Sequence, residues 1–303
     1  MPAFLRKTMF PAAFAALFAL VAGGFIFSAC SRGTSPGKAP AKAADPQTPQ
    51  RIVSIAPGVT EAIFFLGEQR RLVGRTDHCN YPPDAKKIPS IGGFGEPGIE
   101  RIVALKPDLV LMTNSSSYPS YGKLKSLGLN VVDLEPQTLD DVFEMVIEIG
   151  RMLGVERKAK ERVATLRKVV ETVRARHARE PNAPRVYVEI DYGPIFTVGK
   201  QGFLNDMADI LGCKNIFADI DQAYPQVSVE AVILRDPEVI FLGHGTHGES
   251  ALERVRARPG WERISAVRTG RVFGDLDPDL YHRPSPRLVQ GLLEMEERIY
   301  RKQ

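Results

Sequence analysis

Apolar positions along the middle of the chain fall at helical spacing. Val142, Phe143, Val146, Ile149 and Leu153 mark one stripe, and Ala159, Val163, Leu166, Val169, Val170 and Val173 mark a second. Thr138, with Asp141 three residues on, is a helix start of the capping-box type. Gly154 separates the two stripes, and Glu180-Pro181-Asn182-Ala183-Pro184 ends the second. A helix from Glu156 to Arg179 would be about 36 Å long at 1.5 Å per residue.

Shorter apolar runs on either side repeat one another. Glu100 to Leu111 reads ERIVALKPDLVL, and Glu230 to Phe241 reads EAVILRDPEVIF. The two align without gaps, with Glu100 on Glu230, Pro107 on Pro237 and Asp108 on Glu238. Each predicts a short helix with a first-turn glutamate, a proline turn and a buried parallel strand. Starts of the halves also match in kind, Arg51-Ile-Val-Ser-Ile against Arg185-Val-Tyr-Val-Glu-Ile. The pattern predicts an α/β chain: two Rossmann-like lobes with mostly parallel sheets, joined by a long interdomain helix.

The N-terminal half predicts strands at Ile52–Ile55, Leu72–Thr76, Leu109–Thr113 and Asn130–Leu134. Helices are expected at Val59–Leu66, with Glu61 in its first turn, and at Lys123–Leu127. The C-terminal half predicts a strand at Val186–Ile190, a loop from Asp191 to Gly199 and a helix from Phe203 to Leu211. Ser228 caps a helix ending at Arg235, Glu238–Leu242 is a strand, and Asp275–Pro286 is a long loop before a final helix.

Composition is that of an ordinary globular chain of 303 residues, 44% hydrophobic and 25% charged. The formal charge of +4 falls to +2 without Arg6 and Lys7, and no basic stripe points to nucleic acid. Three cysteines make no disulfide framework.

Arg6-Lys7, an apolar run from Met9 to Phe27 and Ser28-Ala29-Cys30 have the parts of a secretory signal. A cysteine after Ser-Ala resembles a bacterial lipobox, which would make Cys30 a lipidated N-terminus. An uncleaved anchor is the alternative. The expected organisation is a signal peptide over 1–29 and a lipidated, flexible tether over 30–50. An N-terminal lobe follows over 51–137, an interdomain helical span over 138–180 and a C-terminal lobe over 184–303. The body is expected outside the cytoplasm, in the periplasm or its equivalent, as a membrane-anchored monomer.

Loops after the strands carry His78, Cys79, Tyr81, Phe94, Tyr118 and Tyr121. Open parallel α/β sheets bind ligands beyond the carboxyl ends of their strands. Phe94, between Gly93 and Gly95, has no local packing reason and faces a ligand in this reading.

Six ordered segments carry a resemblance: Asp77-His-Cys-Asn-Tyr-Pro-Pro, Glu100-Arg-Ile-Val-Ala-Leu-Lys-Pro-Asp-Leu-Val, Phe196-Thr-Val-Gly-Lys, Asn215-Ile-Phe, Tyr224-Pro-Gln-Val-Ser-Val-Glu and Arg283-Pro-Ser-Pro-Arg. Together they resemble the substrate-binding proteins of bacterial ABC importers, the class III subgroup with two rigid lobes and one long helix, and cobalamin-binding members most of all. The resemblance covers about Arg51 to Tyr300. It implies a ligand held between lobes by His78, Phe94, Phe196, Tyr224, Tyr281 and Arg283. It also implies that Glu100 and Glu230 dock arginine pockets on the permease subunits, and it implies no cofactor. Phe94 and Tyr224 stand where indoles are frequent in cobalamin binders, and His78 where a tyrosine occurs. Cobalamin, an incomplete corrinoid, haem and an iron chelate all remain candidate ligands.

Two other classes compete. His244 and His247, with Glu249 nearby, would begin a zinc site, but the spacing supplies too few ligands. Cys79 beside His78 hints at a nucleophile, yet no nucleophile elbow, P-loop or dinucleotide fingerprint is present. The chain is therefore read as a binding protein and not as an enzyme.

Overall fold

A computed structural model describes residues 48–93, 95–113, 120–178, 183–243 and 250–300. Cys30, Phe94, Tyr118, His244, His247 and Glu249 lie outside them. In the first half β1 (Ile52–Ser54) leads to α1 (Pro57–Leu66), and β2 (Leu72–Arg75) to α2 (Ile99–Ala104). Next come β3 (Leu109–Met112), α3 (Ser120–Ser126) and β4 (Val131–Asp133). The sheet has the order β2-β1-β3-β4, and all its pairings are parallel.

Two helices follow, α4 (Leu139–Met152) and α5 (Glu156–His177). The α4 start is a complete capping box: Thr138 accepts from the Asp141 backbone N–H, and the Asp141 carboxylate accepts from that of Thr138. Gly154, at φ 70°, makes the turn between them. The 22 residues of α5 span about 33 Å.

The second half holds β5 (Arg185–Asp191), β6 (Phe196–Thr197), α6 (Phe203–Ile210), β7 (Lys214–Asn215) and α7 (Val229–Arg235). Beyond these are β8 (Val239–Leu242), α8 (Ala251–Arg256), α9 (Ser265–Thr269), β9 (Val272–Phe273), α10 (Asp279–His282) and α11 (Leu288–Tyr300). Its sheet runs β6-β5-β8-β9, with β7 also on β5 and only β6 antiparallel. The stretch expected as a loop from Asp191 to Gly199 thus contains a strand. It turns back on β5, and its short length hides the alternation that normally betrays a strand.

The strands are buried on both faces, and successive residues point into different cores with period two. Ile52, Leu109 and Leu111 face one core shared with Val186, Val188, Val239 and Phe241 of the other half. The buried stripes of α4 and α5 lie in that same core. Val53, Val110 and Met112 face a second core, and Tyr187, Ile240 and Leu242 a third. The third core contains the single tryptophan, Trp261, which is 0% exposed. The described residues form one compact unit, as expected when both sheets contribute to a common core. At the far end of α5, the His177 ring stacks on Tyr300 at 4.0 Å and meets Glu296 at 2.7 Å, which ties α5 to α11.

Glu61 corrects a sequence expectation. It is not a first-turn carboxylate, because α1 begins at Pro57. It is 4% exposed and accepts two hydrogen bonds from Arg287, at 2.7 and 2.8 Å. A bidentate pair of this kind compensates the desolvation of both charges. Burial works against the charge of Arg287, but the hydrogen bonds and attraction of Glu61 outweigh it and hold the guanidinium above its ordinary pKa. Gly58 completes the contact: a Cβ there would collide with the Pro284 carbonyl, so α1 seats directly on that backbone.

Candidate functional site

Thr113 directly follows β3, Pro136 and Gln137 lie just past β4, and Ile190 is near the end of β5. All four line one cavity of about 290 Å³. Its other walls are Gln201 to Phe203, Ala223, Tyr224, His282 and Pro284, so both halves contribute. The cavity therefore lies at the carboxyl ends of the parallel strands, where open α/β sheets take ligands.

The segment bearing Tyr224 is laid against β6 and the turn after it. Thr197 donates its backbone N–H to Pro225 at 3.1 Å, Gly199 to Ala223 at 3.0 Å and Val227 to Ile195 at 3.1 Å. Gly199 is required there, since a Cβ would run into the Gln222 carbonyl. The Tyr224 side of the cleft is thus fixed by backbone bonding. Tyr224 is 43% exposed as a residue, while the surrounding walls desolvate its phenol and push the pKa up to about 12. It stays neutral and able to donate through the physiological range.

Outside the cavity lining, the repeated units correspond position by position. α2 and α7 each carry their glutamate at the second position, Glu100 and Glu230, and both side chains are exposed. Ile102 and Val232, two residues on, are both 0% exposed. Each helix joins its strand through a short turn, four residues after α2 and three after α7, so helix and strand run antiparallel. The first turn of each helix thus points toward the cleft end of its sheet. Hydrogen bonds from its own backbone N–H and from the Ser228 hydroxyl hold Glu230 below the usual carboxylate pKa.

A profile of the periplasmic binding protein family matches residues 52–279. The chain belongs to that family. As a periplasmic binding protein it is 33% identical over 259 residues to an uncharacterised ABC transporter substrate-binding lipoprotein, YvrC, from Bacillus subtilis (strain 168). That match covers 83% of this chain and 80% of YvrC. Among solved structures it resembles a possible iron-binding (periplasmic solute-binding) protein from Staphylococcus epidermidis, with a TM-score of 0.74 and 30% identity. The match covers 84% of this chain and 100% of that one. It also resembles the periplasmic vitamin B12-binding protein BtuF of Vibrio cholerae, with a TM-score of 0.72, 27% identity and coverage of 84% and 99%. The two-lobed class III fold expected from the sequence is the fold of this binding protein.

The sequence-derived site residues of the binding protein separate into groups. Tyr224 lines the cavity. Phe196, half-buried on β6, bridges through its backbone to Gln226, two residues from Tyr224. His78 is exposed on the turn after β2. Phe94 lies outside the described residues. Tyr281 needs correction: it is 5% exposed, its hydroxyl donates to Glu294 at 3.3 Å, and burial followed by the Glu294 charge pushes its phenol well above the ordinary range. It belongs to the core and not to the cavity wall.

Arg283 is engaged within the protein. It donates to Asn80 at 2.6 Å and to Glu61 at 3.3 Å, and it pairs with Asp279 at 2.8 Å. With 12% of its side chain exposed, it ties the two halves beneath the cleft. His282, absent from the sequence reading, does line the cavity, with Nε2 3.1 Å from the Gly243 carbonyl. The stretch Asp275–Pro286, expected as a loop, contains the short helix α10, and only its phase separates the two residues. Successive residues of α10 point about 100° apart, so a buried Tyr281 leaves its neighbour for the cleft.

Among the described residues, no group of three or more His, Cys, Asp or Glu is placed to hold a metal ion. His244 and His247 of the zinc reading lie outside them. No described helix is long and apolar enough to cross a membrane.

Proposed function

We propose that this binding protein captures cobalamin or a related corrinoid between its halves and delivers it to the permease of an ABC importer. The observation that carries the reading is the cavity at the strand ends, walled by both halves and presenting Tyr224 beside His282 and Pro284. A flat, largely apolar ligand with polar edges suits aromatic walls and a few polar groups. The likeness to the vitamin B12-binding protein of Vibrio cholerae supports a corrinoid. The likeness to a possible iron-binding protein supports the second reading, haem or an iron-siderophore chelate.

His78, Phe94, Phe196 and Tyr224 are the ligand contacts in this proposal, His282 is added, and Arg283 acts by holding the cleft floor. Glu100 and Glu230 dock the permease through charge-assisted contacts with basic residues. Cys30 carries a lipid that places the monomer at the outer surface of a membrane, with 1–29 removed and 30–50 as tether. Residues 51–137 and 184–303 are the two lobes, and 138–180 the span between them.

The test is titration of the purified chain with cyanocobalamin, cobinamide, haemin and a ferric hydroxamate, followed by absorbance. Saturable binding of one class identifies the ligand. Tyr224→Ala and Phe94→Ala are each expected to weaken it about 5-fold or more, the usual effect of truncating an aromatic anchor. Unchanged affinity in both folded variants removes the cleft assignment, and binding of none of the four ligands removes both readings.

A further inference from the structure

The two docking helices carry more than a carboxylate. Leu234, in the last turn of α7, is 86% exposed, and Val103, in the last turn of α2, is 44% exposed. Four residues along a helix return to the same face, so Leu234 shares a face with Glu230 and Ala104 with Glu100. Val103, three residues on, borders that same face. The inward residues Ile102 and Val232 belong to the cores, and Leu234 and Val103 stand outside them.

We infer that Leu234, with Val103 as its weaker counterpart, is an apolar contact of the permease-docking surface, set beside each docking glutamate. This rests on the proposal that Glu100 and Glu230 face the permease. The partner it fits is a membrane protein of two like subunits, each presenting a basic group next to an apolar recess. Charge complementarity selects that occupant. A carboxylate beside each apolar residue disfavours an anionic lipid surface, and self-association through this face would set Glu230 of one copy near Glu230 of the other. A first-turn glutamate with an exposed apolar residue later on the same helix, in each repeat, matches a partner that offers a like site twice. The two patches are unequal: the C-terminal half presents leucine where the N-terminal half presents Ala104, so most of the apolar contact comes from α7.

The experiment measures equilibrium docking of the full-length chain on proteoliposomes holding its copurified permease–ATPase complex. Protein-free liposomes of the same lipids serve as the comparison. Leu234→Ser is expected to dock about 5- to 10-fold more weakly, the effect of losing a largely buried leucine contact. Val103→Ser is expected to lose about 2-fold. Leu234→Met, which keeps the apolar surface, is expected to dock like the wild type. So is Leu127→Ser, which removes an apolar residue 52% exposed off these helices. Thermal stability and cyanocobalamin or haemin affinity are expected to stay unchanged in all four.

If Leu234→Ser docks normally while Glu230→Gln does not, the apolar contact is overturned and the docking reading stands. If Glu100→Gln with Glu230→Gln also docks normally, the docking reading falls with it. Wild-type binding to protein-free liposomes that Leu234→Ser abolishes would assign the leucine to lipid instead. A wild-type dimer broken by the same substitution would assign it to a second copy. Either result overturns the inference.

Discussion

The same helix–turn–strand unit occurs twice, at Ile99–Met112 and Val229–Leu242, and the two copies are stabilised differently. Both turn through a non-glycine residue at positive φ, Lys106 at 46° and Asp236 at 42°. In both, the arginine that opens the first strand clasps the turn. Arg51 donates to the Leu105 and Lys106 carbonyls, and Arg185 donates to the Asp236 carbonyl at 2.8 Å. Asp108 accepts from the Arg51 backbone N–H, as Glu238 accepts from that of Arg185. Beyond this shared frame the copies diverge. Ser228 caps α7 with its hydroxyl, whereas Gly98 at the start of α2 has no side chain to offer. The Asp236 carboxylate accepts from the backbone and hydroxyl of Ser265, while Lys106 is exposed. Backbone geometry is therefore what the repeat preserves, and the side-chain bonding that supports it is free to differ.

The shared inward position gives the largest expected effect. Ile102→Ala should cost about 2–5 kcal/mol, because it empties a fully buried site. Val232→Ala should cost less, since it deletes one methylene fewer, at roughly 0.8 kcal/mol per buried methylene. Urea unfolding measures both, and equal losses would mean that the two cores relax differently around the gap.

The turn residues should part in sign. Asp236→Gly relieves the positive φ but strips Ser265 and Arg185 of their acceptor, a net loss of about 1–3 kcal/mol. Lys106→Gly only relieves backbone strain and should be neutral or stabilising by up to about 1 kcal/mol. Parallel melts of the two variants decide the point; losses of equal size would mean that Lys106 makes a contact as valuable as that of Asp236.

Acid should expose the same asymmetry. Burial raises the Asp236 pKa, but hydrogen bonds from Ser265 and the Arg185 charge outweigh it and leave the carboxyl below its ordinary value. A depressed native pKa contributes stability that is present above the unfolded value. It is lost as pH falls through the native one. The stability gap between wild type and Asp236→Asn should therefore be full at neutral pH and close below about pH 4. A gap that persists into strong acid would point to packing instead of charge.

Ser228→Ala should give the smallest loss, about 1 kcal/mol for a helix cap. It should also let the Glu230 pKa rise toward the ordinary carboxylate value, readable by NMR titration of the side-chain carbonyl.

Much of this was legible in the sequence because it is local. The capping box at Thr138 and Asp141, the two helical stripes and the gapless alignment of the repeats depend on neighbours within a turn or two. What escaped depends on distant partners or on phase. Nothing near Glu61 announces Arg287, which lies 226 residues away in sequence. Tyr281 and His282 are neighbours in the chain, but one faces the core and the other the cleft. Two-residue strands such as β6 are too short to show a period at all. The stretch from Ala251 to Phe273 is built of short helices with mixed faces, so its organisation follows from packing around Trp261.

That burial of Trp261 makes the protein a self-contained optical sensor. Its one indole sits among Tyr187, Phe217 and the Arg258 side chain, sealed from collisional quenchers. A corrinoid or haem in the cleft would dim it only through dipolar energy transfer across the protein, which depends on distance and spectral overlap. Substitutions in the cleft would then alter occupancy without altering the reporter, so one emission wavelength can compare every cleft variant on the same scale.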